Sequence, residues 1–273
     1  MTTRPAAAPR ARVVAGRARV VREVRAAGPL AAHLRAPATA RSPWLTAVLG
    51  HLAARRSLTR PVAVVVDDVP GDAPAASAFL TVRPGPRTVV GMLTAAAGFL
   101  PPGRPTARML ARDEAAAEAL ADGIVAVVAA RPGPWRLDLA GLPLGDPTLR
   151  ALAARLPMAT LANERSQRLV DELADAERST APAEVDRLLP QSAPAFVRSA
   201  TRLHAAIGAV EVAVPPPGGG LVTLLDGADR WPWWGSAPSG LRTEMGAPLV
   251  RLTASGWSGR RDVARLSRRA AAR

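Results

Sequence analysis

The chain has 273 residues and a formal net charge of +14, with no Cys, no Tyr and no Lys, so all 36 basic residues are Arg. Zero Cys excludes disulfides and thiolate metal sites, three scattered His (His33, His51 and His204) make no zinc cluster, and no apolar run approaches the roughly 18 to 20 residues that span a bilayer. Residues 1–25 hold seven Arg and one Glu, and residues 258–273 six Arg and one Asp, so the charge sits at the two ends and the body is near neutral. Arg without Lys, together with abundant Ala, reads as the consequence of a GC-rich genome.

Met1 to Gly16 mixes Ala, Pro and Arg with no face to bury and is expected to be a disordered basic tail. Met1 to Arg12 has no apolar core of a secretory signal, so a cytoplasmic protein is expected. Structure is expected to begin at Ala18, with Arg19 to Val24 as a first strand and Leu30 to Arg35 as a short helix behind Pro29. Ser42-Pro43 then reads as the cap and first residue of a helix whose Leu45, Val48, Leu49 and Leu52 share one stripe.

Pro61 to Asp67, Ala76 to Arg83 and Thr88 to Thr94 read as three strands, joined by the turn sequences Asp68-Val-Pro-Gly-Asp72 and Pro84-Gly-Pro-Arg87. The cheapest topology is an antiparallel meander in the middle of a sheet. Ala95 to Ala111 is irregular, and Asp113 caps a long helix to about Ala130, stopped by Arg131-Pro-Gly-Pro134.

Trp135 to Leu139 alternates as a strand, Asp146-Pro147 opens another helix, and Met158 to Leu161 is a short strand. Asn163 to Pro190 is polar and helical in character. Phe196, Ala200, Leu203 and Ile207 define a helix, followed by strands at 209–214, 221–225 and 249–253. Between the last two lies Asp226-Gly-Ala-Asp-Arg-Trp-Pro-Trp-Trp-Gly235, with half of all the Trp in the chain.

The element order over residues 18–162 is similar to the N-acetyltransferase-like fold of the acyl-CoA N-acyltransferase superfamily. Ser42-Pro-Trp-Leu45 and Trp135-Arg-Leu-Asp-Leu-Ala-Gly-Leu-Pro143 resemble the branch with cellulose-biosynthesis-associated acyltransferase-like and Fem-type proteins. The resemblance implies an α/β (α+β) fold: a mixed, largely antiparallel central sheet flanked by helices, with a cleft where the fourth and fifth strands splay. It implies one domain over residues 17–257 with a C-terminal extension and a basic tail at 258–273. It also implies acyl-CoA as cofactor and acyl transfer to an amine. The superfamily's Arg/Gln-x-x-Gly-x-Gly/Ala pyrophosphate loop has no match here; Arg25-Ala-Ala-Gly28 comes nearest, with Leu30 at the small-residue position. In the expected place stands the Ala95 to Arg112 segment, whose Arg104, Arg108 and Arg112 are the residues placed to meet a phosphate. Pro101, Pro102 and Pro105 make that segment a poor donor of convergent N–H groups, so it is expected to fill or cover the cleft.

Asp67-Asp68 is a carboxylate pair, and a solvated turn fits it better than acid and base work. Ser77 and Ser199 lack a nucleophile elbow, and Gly218-Gly-Gly220 precedes a strand where a phosphate cradle precedes a helix. Asp229, Arg230, Trp231, Trp233 and Trp234 form the candidate binding surface, against a reading in which the rings plug the core. Two function classes stay open. One is an acyltransferase-like protein, active or degenerate. The other is an interaction protein, with the Trp stretch meeting a protein partner and the Arg tails contacting nucleic acid weakly.

Overall fold

The computed structural model describes residues 10–67, 73–156, 158–173, 175–216, 218–236 and 240–259. The meander forms as the turn chemistry requires: β1 (Arg10–Ala15), β2 (Arg60–Asp67), β3 (Ala76–Arg83) and β4 (Thr88–Met92) pair antiparallel in that order. The run Val62 to Val66 is apolar throughout because both faces of the sheet are covered. Ala63 and Val65 enter one core and Val62, Val64 and Val66 the other.

Two expectations for the N-terminal stretch are corrected. Arg10–Ala15 is a strand, since β2 offers it a full edge, with Val13 opposite Val64. Residues 1–9 of the expected tail lie outside the described residues. Arg17–Ala26 is a helix, α1, where a strand was expected: Val20 and Val24 stand one turn apart and both are buried. It leads into α2 (Gly28–His33) and α3 (Ser42–Ala54), whose cap position is Arg41, with Ser42 its first residue.

Beyond β4, the two-residue strand β5 (Leu110–Ala111) pairs with β3 and leads into α4 (Glu114–Ala129). The Asp113 side chain accepts a 2.8 Å bond from the Ala116 N–H, the expected cap. Asp113→Ala is expected to lower stability by about 1 kcal/mol in chemical denaturation; an unchanged midpoint would refute the cap's contribution. β6 (Gly133–Leu142) runs parallel to β4, from Thr88 beside Trp135 to Gly91 beside Asp138. Next come α5 (Pro147–Arg155), capped by Asp146, and β7 (Thr160–Glu164).

The polar stretch expected to be helical instead supplies β8 (Gln167–Asp171) and β9 (Glu177–Ser179) ahead of α6 (Pro182–Leu188). Strand pairing overrides propensity there, because Arg168 lies opposite Glu244 and binds it at 2.6 Å. α7 (Ala195–Ala205), β10 (Val210–Val214), β11 (Leu221–Asp226), β12 (Asp229–Gly235) and β13 (Leu241–Met245) complete this part. β14 (Leu249–Ser258) then returns to the main sheet between β6 and β7, giving the order β1-β2-β3-β4-β6-β14-β7. The segment between β7 and β14 is therefore an insertion, where a C-terminal extension was expected.

That insertion repeats the opening of the chain. β9, two helices, β10, β11 and β12 form a second antiparallel sheet in the same order as β1, its helices, β2, β3 and β4. The helix before the second strand of each unit, α3 and α7, packs against the other in a reciprocal way. Trp44 meets Phe196 edge to face at 5.3 Å, Phe196 meets His51 at 5.3 Å, and Trp44 meets His204 at 6.4 Å. Such exchange of equivalent contacts is the signature of a two-fold interface, here within one chain.

Candidate functional site

The opening to inspect lies where β4 and β6 part. Pairing ends at Gly91 and Asp138, after which β4 gives way to a 3-10 turn (Leu93–Ala97) while β6 continues to Leu142. The loop between that turn and β5 lies in this opening. Thr106 and Ala107 donate their N–H groups to the Gly141 carbonyl at 2.9 and 3.0 Å. Ala107 and Met109 are buried in the same core as Val90, Met92 and Leu139. Gly141 sits at φ +74°, and a Cβ there would come within 2.3 Å of Thr106 Oγ1, so the close approach requires glycine. Thr39 Oγ1 donates to the Thr106 carbonyl at 2.6 Å. The segment thus packs against the part of β6 that extends beyond the β4 pairing.

The second unit clamps the same loop from the other side. Trp231 Nε1 donates to the Pro102 carbonyl at 2.7 Å and Trp233 Nε1 to the Phe99 carbonyl at 2.8 Å. Ala247 N–H donates to the Gly103 carbonyl at 2.8 Å, and a Cβ on Gly103, at φ +93°, would lie 2.2 Å from Arg168 Cβ. Trp231 and Trp233 are buried and Trp234 is half-buried against the same core, while Trp231 also lines a cleft beside Arg230. Both indoles face inward because they stand two apart on one strand. The register shifts between Val222 and Thr223 of β11, which face Trp234 and Pro232, so Trp233 is the extra residue of a bulge on β12, and this bend brings Trp234 in as well.

The three loop arginines do not converge on one point. Arg104 Nη1 pairs with Asp229 at 3.2 Å and its guanidinium lies 5.9 Å from the Trp231 ring centroid. Arg108 donates to the Leu34 carbonyl, and Arg112 Nε reaches its neighbour Asp113 at 3.2 Å. The α4 N-terminus, where a phosphate could have been held, is taken by the Asp113 carboxylate, with Glu114 beside it.

Two clefts remain. One, of about 200 Å³, is mostly apolar and lies between α1, α2 and the start of α3, over Phe79 and Leu110. Its cation, Arg41, is tied to the Ala36 carbonyl and to Asp226. The other, of about 250 Å³, brings together residues from both expected sets: Arg104 from the loop, Arg230 and Trp231 from β12, and Arg168 and Asp171 from β8. Each of its arginines has a carboxylate partner, Asp229 for Arg104, Glu244 for Arg168 and Glu211 for Arg230, so its charge is balanced. Against their burial, Asp171 is held below the ordinary carboxylate range by Arg178, and Glu211 by Arg230 and Arg178.

Two groups moved far from their ordinary values by burial line neither cleft. Burial lowers His204 to about 4, and burial raises Asp146 to about 6 against N–H bonds from Thr148, Leu149 and Met109. Asp67 ends β2 and binds Arg12 at 2.5 Å; Asp68 lies outside the described residues. Among the described residues no three His, Asp or Glu side chains are grouped to hold a metal, and no helix is long and apolar enough to cross a membrane.

The strand order and the parallel β4/β6 pair make a mixed, largely antiparallel sheet flanked by helices. No protein-family model and no curated protein matches the chain. Among solved structures it is similar to a tandem GNAT protein from the clavulanic acid biosynthesis pathway, at 13% identity and TM-score 0.34 over 90% of this chain and 98% of that one. It is also similar to a Drosophila melanogaster protein (9%, 0.36, 90% and 98%) and to a conserved Enterococcus faecalis V583 protein described as a probable N-acyltransferase (11%, 0.32, 89% and 72%).

Proposed function

We propose that this chain is a binding protein built on an acyltransferase-like fold, in which its own loop takes the place of an acyl donor. The observation behind this reading is the pair of N–H bonds from Thr106 and Ala107 to Gly141, made in the opening beyond the β4/β6 pairing. A pantetheine-like arm entering there would have to displace two buried residues, Ala107 and Met109, and break the Trp231 and Trp233 bonds to the loop. The carboxylate that lines the second cleft, Asp171, is committed to Arg178 at 2.8 Å and so is poorly placed to serve as a general base.

The test is calorimetric unfolding with acetyl-CoA at millimolar concentration. The melting temperature is expected to stay unchanged. A native-state ligand at a hundred times its Kd would add about 2.7 kcal/mol, which raises the melting temperature of a domain this size by several degrees. Such a rise would overturn the reading and favour transfer of an acyl group from acyl-CoA to an amine.

A further inference from the structure

The charge of the folded body is not spread evenly. In the second half of the chain nearly every described arginine has a carboxylate partner, as with Arg155, Arg178, Arg202 and Arg251. Arginines without an ion-pair partner also occur along α1 and at Arg35, Arg165 and Arg198, and a group of five stands at one end of the main sheet. Arg55 and Arg56 end α3, Arg60 begins β2, Arg83 ends β3 and Arg87 precedes β4; all are exposed and none has an ion-pair partner among the described residues.

Strand register places them together. Ala15 lies opposite Val62, Arg60 opposite Val82, Arg83 opposite Val89, Thr88 beside Trp135, and Trp257 opposite Pro134. These positions are one end of the main sheet, six strands wide, or about 24 Å at ~4.8 Å per strand. Arg17 opens α1 at the same end, next to Gly16, whose N–H reaches the Pro61 carbonyl at 3.4 Å. The segments that meet there, 10–22, 51–66, 79–112, 127–137 and 253–259, contain no Asp or Glu. A GC-rich composition explains how many arginines the chain has. It does not explain why segments free of Asp and Glu meet at this end of the sheet.

Two large apolar side chains stand exposed at the same end: Trp257 at 74% and Leu58 at 77%. A carboxylate-free row of guanidiniums beside an exposed indole is the combination that takes phosphates and a stacked base. Among the described residues the surface is a rim of strand ends, turns and the ends of α1 and α3, about 24 Å wide against about 12 Å for the major groove of a duplex. We propose that this end of the sheet binds single-stranded nucleic acid, with Arg55, Arg60, Arg83 and Arg87 on phosphates and Trp257 against a base. This deepens the binding-protein reading by naming a surface and a partner, and it holds whether or not the β4/β6 opening is closed. The acetyl-CoA titration tests the opening alone.

The test is fluorescence anisotropy of a labelled oligothymidylate of about 20 nucleotides with the full chain. With about five phosphates neutralised, affinity should fall on the order of a hundredfold between 50 and 200 mM salt. Replacing Arg55, Arg60, Arg83 and Arg87 together by Gln should cut the slope of log K against log salt by about 3. Trp257→Ala should weaken binding about tenfold. A control with the same charge change, Arg150, Arg187, Arg202 and Arg242 to Gln, should bind nearly as the parent does. Equal loss in both quadruple variants would overturn the proposal, as mere net charge. So would binding that vanishes on removing residues 259–273 yet is untouched in the Arg55/Arg60/Arg83/Arg87 variant. Binding to phosphatidylserine vesicles without binding to the oligonucleotide would overturn it in favour of a membrane surface.

Discussion

Replacing Trp233 by alanine is expected to destabilise the protein by about 3 to 5 kcal/mol, the range for a large aromatic removed from a core. The ring is 5% exposed, lies 4.9 Å from Trp44 and 6.1 Å from Phe196 by centroid, and ties the Phe99 carbonyl through its N–H. Its loss therefore opens a cavity at the seam between the two units and leaves a buried carbonyl without a donor. Trp233→Phe separates these effects, since it keeps an aromatic ring but not the N–H; the remaining loss should be about 1 to 3 kcal/mol. Amide exchange should then rise in the 98–109 loop before it rises in β2 and β3. Trp234→Ala, at a half-buried ring, should cost clearly less. Urea denaturation decides the matter: a Trp233→Ala variant within about 1 kcal/mol of the parent would return the cluster to the surface role that its composition suggested.

The meander, the two Asp-capped helices and the strand at Trp135 were legible in the sequence because each is locally determined. Turn residues, caps and periodicity all lie within a few positions of the elements they specify. The insertion was not legible for the opposite reason. Its β9 is three residues long and its β8 is mostly exposed, so neither shows the alternation of a half-buried strand; long-range pairing with β10 and β13 makes them strands. The repeat was hidden likewise, because Trp44 and Phe196 correspond in position and not in type.

At the site, the three prolines announced a loop unable to hold a phosphate, but nothing local revealed that Thr106 and Ala107 would dock on Gly141. Counting charge along the chain placed the basic character in the tails. Register placed part of it elsewhere, by bringing five separate acid-free segments to one end of the sheet. Deleting both tails is accordingly expected to weaken, and not abolish, retention on a polyanion.

Between pH 6.5 and 4 the protein is expected to change little in stability, because two buried groups oppose each other there. His204 is 1% exposed, has no hydrogen-bond partner on either ring nitrogen among the described residues, and faces Trp44 with Arg41 nearby. Burial first and Arg41 second hold it neutral, with a folded value of about 4 against an ordinary 6.5. The unfolded chain thus binds the extra proton in this window, so the His204 contribution falls with falling pH, by about 3 kcal/mol in all. Asp146 works the other way. Its folded value of about 6 against an ordinary 3.8 means that the native state binds the extra proton, so stability rises as pH falls through the same window, again by about 3 kcal/mol. Carboxylates held below their ordinary values by arginines, such as Asp138 and Glu211, lose their contribution mainly below about pH 4.5 and do not blur the comparison. His204→Phe should therefore become more stable on acidification from pH 6.5 to 4.5, and Asp146→Asn, which keeps a capping side chain, should become less stable by a similar amount. Thermal unfolding of the parent and both variants across that range is the measurement. Parallel pH profiles for all three proteins would show that neither group is buried in its uncharged form.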